Sequence, residues 1–180
     1  EITWALYQLQ SVKAIQASLP QVRQFLDRIW ELWSPTSGMY YSSYFHVPDL
    51  DLTSTSFILL RWGGYPVEAD VFNYFEMDDH FCTYRQESNP SPSAQLRFLM
   101  ALQSCPEHPS QPAWRQKALN ALRTYDENGS YWWDKWHASP YYVSNLAVHA
   151  LYRLDADLSA SRLKWVLKTQ NDDGGWGYLG

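Results

Sequence analysis

No apolar run in the 180 residues approaches the roughly 20 that a membrane-crossing helix needs, so no transmembrane segment is expected. Basic residues are sparse. Lys and Arg total 14 against 19 Asp and Glu, they form no cluster, and the formal charge is −5. Nucleic-acid binding needs a concentrated basic patch, so nucleic acid is not an expected partner. Cysteine is nearly absent: Cys82 and Cys105 show neither metal-ligand nor redox spacing. They read as reduced, buried thiols of an intracellular protein, with the cytoplasm as the expected location. The start, Glu1-Ile2-Thr3-Trp4, has neither an initiator Met nor the pattern of a signal peptide. The sequence therefore reads as an excerpt of a longer chain.

What is abundant is aromatic: ten Trp, thirteen Tyr and seven Phe. Aromatics on that scale fill a core or line a site for a large apolar, sugar or cationic ligand. With 46% hydrophobic residues, residues 1–180 are enough to bury one core as one domain.

Helical periodicity dominates. Helices are expected at 2–16 and 21–33, the second opened by Pro20 and striped with Val22, Phe25, Leu26, Ile29, Trp30 and Trp33. Both tryptophans read as core. Ser34-Pro35-Thr36-Ser37-Gly38 breaks the pattern, and 39–47 is aromatic and extended. A third helix is expected at about 52–62, closed by Gly63-Gly64. A short one follows at 67–75, then loop or short strand to 89. Further helices fit 93–104, 113–125, 142–154 and 158–169, with a proline-rich break at 105–112. Paired short helices without strand alternation suggest an all-α fold, an α/α-barrel (toroid) of antiparallel helix pairs. A four-helix bundle is the competing arrangement; it calls for fewer, longer helices.

Within His46 to Phe57, Asp49 and Asp51 stand two residues apart at the mouth of an apolar helix. The plain reading is a helix cap. The chemical reading is an acid kept neutral beside an oily cavity, able to protonate a carbon–carbon double bond. At the other end of the chain, Gln170-Asn171-Asp172-Asp173-Gly174-Gly175-Trp176-Gly177 reads as a structural clasp. The glycines permit a tight turn, Gln170 caps backbone groups and Trp176 covers the turn.

That last turn resembles the QW repeat of the squalene–hopene and terpene cyclase superfamily. Asp49-Leu50-Asp51-Leu52-Thr53, followed by Arg61-Trp62-Gly63-Gly64-Tyr65, resembles the D-x-D-D-T-A helix of class II terpene cyclases. Phe75-Glu76-Met77-Asp78-Asp79-His80-Phe81 with Asn89-Pro90-Ser91 is similar to the segment that follows it there. Trp133-Asp134-Lys135-Trp136-His137-Ala138-Ser139-Pro140-Tyr141-Tyr142 resembles the D-K-W-x-x-S-P-Y-Y segment of microbial diterpene cyclases. The four segments occur in the family's order. The sequence departs from the family at Leu52, where the last Asp of the motif is expected, and at Ser54, where Ala is usual.

The resemblance implies the β-domain of a class II cyclase of the squalene–hopene or copalyl diphosphate synthase kind. Asp51 matches the general acid, and Asp49 is placed to supply it with a hydrogen bond. The loss of a carboxylate at Leu52 bears on how that acid is tuned. The implied substrate is a polyprenyl diphosphate. Tyr44, Trp62, Trp133, Lys135, Trp136, Tyr141 and Tyr142 are its expected contacts, among further aromatics that include Tyr40, Tyr41, Phe45 and Trp132. His80 and His137 could hydrogen-bond near the acid, with a structural role as the alternative. No protein metal site is expected; Mg2+ would enter only with a substrate diphosphate. A closed barrel of about 12 helices needs roughly 200 residues or more, and about eight fit here. Completion is expected from the remainder of a longer chain, a second helical domain or a second copy. Two other readings remain: a non-catalytic structural or lipid-binding domain of the same ancestry, and a carbohydrate-active α/α-toroid.

Overall fold

The computed structural model describes residues 2–42, 44–126 and 129–177. Among these, the chain forms seven α-helices, one 3-10 helix and no strand longer than an isolated bridge. The helices are α1 (Ile2–Ser11), α2 (Pro20–Leu32), α3 (Leu50–Trp62), α4 (Pro92–Leu102), α5 (Gln111–Thr124), α6 (Pro140–Leu151) and α7 (Ala156–Lys168); the 3-10 helix, Ala69–Phe75, follows α3. Prolines open α2, α4, α5 and α6, where a missing N–H costs no helical hydrogen bond.

Packing separates the helices into two layers. α1 lies on α3, α3 on α4 and α4 on α6, while α2, α5 and α7 each cover members of that row. This is the inner and outer layering of an α/α-toroid, and the all-α paired-helix expectation holds. α4 is its centre: every residue but Met100 is buried. Beside it, Phe98 meets Phe72 at 5.0 Å and Phe81 at 4.0 Å between ring centroids, and Phe57 meets Phe72 at 5.1 Å. Cys82 and Cys105 are buried free thiols.

Three local expectations change. The first helix ends at Ser11, not Gln16; the backbone turns at Lys13 (φ +58), and Val12 lies out in solvent with nothing to bury against. The 67–75 helix is 3-10 rather than α. Trp33 is buried, but Trp30 is 37% exposed and leans on Tyr65 at 5.7 Å. A stripe on an outer helix covers a narrower arc than its sequence offers.

The aromatic 39–47 segment doubles back on itself. Tyr40 bridges Pro48, and Tyr41 N–H donates to the Val47 carbonyl at 2.8 Å. It is tied to α3 by Asp49 N–H to Met39 O at 2.9 Å and Met39 N–H to Thr53 Oγ1 at 2.9 Å. Gly38 has φ +74 and presses against the Thr53 side chain so closely that a Cβ would overlap it. Only glycine satisfies both demands. At the C-terminal turn, Gln170 Nε2 donates to Gly174 O at 2.7 Å and Trp176 Nε1 to Val166 O at 2.7 Å. These bonds make the clasp expected there.

Candidate functional site

A cleft of about 940 Å³ opens where the first turns of α1, α3 and α6 meet. α1 contributes Trp4 and Gln8, one helical turn apart on one face; α6 contributes Tyr142. Tyr41, Phe45 and Val47 come from the folded-back aromatic segment, and Thr83, Tyr84, Arg85 and Gln86 from the loop before α4. Trp136 and His137 approach from the loop before α6, and Asp49 and Asp51 sit at the start of α3.

The two carboxylates have different positions. Asp49 is the N-cap of α3: its Oδ1 accepts the Leu52 N–H at 2.7 Å. The hydrogen bond expected from Asp49 to Asp51 is not formed, because the cap holds the Asp49 carboxyl against the backbone. Among the described residues no group hydrogen-bonds the Asp51 carboxyl, and its backbone carbonyl accepts from Thr55 Oγ1 at 2.9 Å.

Both acids are pushed above the ordinary carboxylate range. For Asp51 burial is the main cause, then the Asp49 charge, with Asp134 and Glu87 adding to it and Arg97 opposing; it reaches about 8. Asp49 rises less, again through burial, because the Leu52 N–H favours its charged form. Asp51 is thus a carboxylic acid that keeps its proton at neutral pH inside an aromatic cleft.

A third acid behaves in the opposite way. Asp134, with its side chain 1% exposed, accepts Ser91 Oγ at 2.8 Å, Trp136 N–H at 3.0 Å, His137 N–H at 3.1 Å and His137 Nδ1 at 2.8 Å. Burial raises its pKa, but hydrogen bonds from His137, Ser93 and Ser91 outweigh that and hold it near 2. The His137 ring lies flat on Tyr142, 3.9 Å between centroids. The Tyr142 hydroxyl in turn accepts from Arg97 Nη2 at 3.0 Å.

Of the residues expected to contact substrate, Trp136 and Tyr142 line the cleft with Asp49 and Asp51, as do the further aromatics Tyr41 and Phe45. The others lie elsewhere. Trp62 stands at the far end of α3, about 16 Å along the axis from Asp51 at 1.5 Å per residue, and packs on the core. Tyr44 is 96% exposed. Trp133 Nε1 is used in holding the His137 carbonyl at 2.8 Å. Lys135 pairs with the buried Glu87 carboxylate at 2.7 Å and donates to Asn89 O at 2.6 Å. Tyr141 faces away from Tyr142, into a separate cavity of about 300 Å³ with Val166 and Trp176.

His80 pairs with the exposed Asp79 and takes no part in the cleft. Among the described residues no group of three or more His, Cys, Asp or Glu is placed to hold a metal ion. Trp4, Gln8, the 83–86 loop and Arg97 had no place in the sequence reading of the site. Arg97 carried a usable signal: it is the one charged residue in the otherwise uncharged α4.

Residues 64–180 match the family model of the squalene-hopene cyclase C-terminal domain. A type B diterpene cyclase of Mycobacterium tuberculosis is 31% identical over 184 residues, covering 99% of this chain and 36% of its own. A copalyl diphosphate synthase of Streptomyces cyslabdanicus is 33% identical over 143 residues, covering 74% and 27%. Among solved structures, ent-copalyl diphosphate synthase from Streptomyces platensis matches with a TM-score of 0.81 at 23% identity, over 99% of this chain and 36% of that one. Abietadiene synthase from Abies grandis matches with a TM-score of 0.60 at 19% identity, over 82% and 20%. These two establish likeness of fold. The chain spans about a third of the length of the first relatives it matches.

Proposed function

Because this chain belongs to the squalene-hopene cyclase C-terminal domain family, we propose that it is the acid-bearing part of a class II terpene cyclase. Its substrate is a polyprenyl diphosphate, in keeping with the diterpene cyclase and copalyl diphosphate synthase names of its relatives. The observation that carries the reading is Asp51, an acid favoured in its protonated form and facing an aromatic cleft. Its O–H bond breaks as a new C–H bond forms at the terminal alkene, and the next double bond of the folded chain captures the cation.

Aromatic faces hold such a cation without reacting with it. Trp4, Tyr41, Phe45, Trp136 and Tyr142 offer them here. Asp49 serves as the cap that fixes the first turn of α3, and its charge discourages Asp51 from ionising. Mg2+ would arrive on the diphosphate rather than on a protein carboxylate cluster. The rest of a longer chain, a second helical domain or a second copy would complete the enclosure.

The test is incubation of the full-length protein with geranylgeranyl diphosphate. A bicyclic product that retains its diphosphate is expected from the wild type. Asp51→Asn should lower its formation by about 10²–10⁴-fold, the usual worth of a general acid. Equal yields from the two, or none from either, would sink the reading.

A further inference from the structure

Every proton delivered to an alkene must be matched by one removed if the product is to be an olefin. The cleft contains a second titratable pair, which the initiating step leaves unused. His137 lines the same cleft as Asp51, and its Nδ1 is 2.8 Å from Asp134 Oδ1. Asp134 is buried and ionised, so it can only accept; Nδ1 must carry the hydrogen, and in the neutral ring Nε2 then carries the lone pair. Among the described residues nothing else binds Nε2, so it is the nitrogen left for the cleft. The ring cannot swing freely, because it is stacked on Tyr142 while its own backbone N–H is also held by Asp134.

We propose that His137, oriented by Asp134, is the base that ends the reaction. The proposal rests on the reading of Asp51 as initiating acid. Nε2 takes a proton from the carbon next to the final cation. The C–H bond breaks, its electron pair becomes the new C=C bond, and an N–H bond forms on His137. The imidazolium is stabilised by the Asp134 carboxylate until the proton passes to water, and water reprotonates Asp51. One proton enters and one leaves.

The other polar side chains of the cleft are poor substitutes. Gln8, Thr83 and Gln86 are not bases, Arg85 is already a cation, and Asp49 is turned to the Leu52 N–H at 2.7 Å as the cap of the helix that carries the acid. Asp51 is a carboxylate after its transfer, but it stays where the first proton was delivered, whereas ring closure carries the cation away along the folded chain. An acid held protonated and a base backed by an ionised carboxylate, in one cavity, is how one site separates the two roles.

The test uses the full-length protein with geranylgeranyl diphosphate and two variants, His137→Phe and His137→Gln. The Phe variant keeps an aromatic ring against Tyr142, so folding is preserved and can be checked by thermal melting. In both, substrate continues to be consumed. The share of wild-type olefin falls about tenfold or more, replaced by hydroxylated diphosphates or shifted double-bond isomers. An unchanged olefin share in both variants overturns the proposal and leaves the Asp51 reading standing. Loss of all consumption in the folded variants also overturns it, because His137 would then act before the cation forms. A wild type that consumes nothing removes both ideas together.

Discussion

The Tyr142 hydroxyl accepts a hydrogen bond from Arg97 at 3.0 Å, so one phenol ring joins a buried cation to the wall of the cleft. Arg97 is enclosed between the Trp4 and Tyr7 rings, each 4.9 Å from its guanidinium carbon. Among the described residues its Nε and Nη1 have no hydrogen-bond partner. Tyr142 thus accepts from it at 3.0 Å, and the Tyr7 hydroxyl is the other acceptor beside it.

Tyr142→Phe would take from that guanidinium the acceptor at 3.0 Å. A buried charged group that loses its partner costs about 1–3 kcal/mol or more, and urea unfolding should show this loss. Adding Arg97→Met removes the charge and keeps the bulk, so the double variant should regain most of the stability. A double variant less stable than Tyr142→Phe alone would show that the guanidinium has another source of stabilisation.

Asp51 should make stability depend on pH in a direction unusual for a carboxylate. Its native pKa, about 8, lies above the ~3.9 of an unfolded chain, so the native state holds its proton more tightly. The resulting stabilisation is complete below the unfolded value and is lost as pH rises from about 4 to 8. Asp51→Asn has no such proton. The variant should gain on the wild type across that window by up to about 5 kcal/mol, at about 1.4 kcal/mol per pH unit, then level off. Urea midpoints at pH 5 and pH 8 that differ equally for both proteins would contradict this.

Arg162 should prove a strong structural residue outside the lining of the cleft. It is fully buried, pairs with Asp126, and lies over the Trp132 ring at 3.9 Å. Arg162→Ala removes the charge, the stacking and the bulk together. A loss of about 3–5 kcal/mol is expected for breaking a pair of this kind. A melting temperature within a degree or two of wild type would refute it.

Much of α3 could be read from the residues themselves. Asp49 and Asp51, an apolar run and two glycines mark both ends of the helix. Trp136 and Tyr142 stood out through the aromatic segment from Trp133 to Tyr142, which opens α6 and resembles that of microbial diterpene cyclases. The residues that escaped did so for physical reasons. Trp4 lies on a stripe like any core stripe, and periodicity does not say whether a face meets protein or cavity. The 83–86 loop has irregular backbone and so no period at all; it reaches the site through Thr83 O, which accepts the Leu50 N–H at 2.8 Å. Tyr44 and Tyr141 were overestimated because aromatic character is independent of direction. Tyr141 and Tyr142 are neighbours in sequence but point about 100° apart around α6.

The contact between Gly38 and Thr53 has a mechanical consequence. With the Met39–Thr53 and Asp49–Met39 hydrogen bonds, it couples the aromatic segment to α3 at three points. Tyr41, Phe45 and the acid therefore move as one rigid jaw. The 83–86 loop hangs from the same helix, because Thr83 O accepts the Leu50 N–H at 2.8 Å, so two walls of the cleft share α3 as their anchor. On the proposed reading of Asp51, the donor's aim is set by the same anchor that sets the walls facing it.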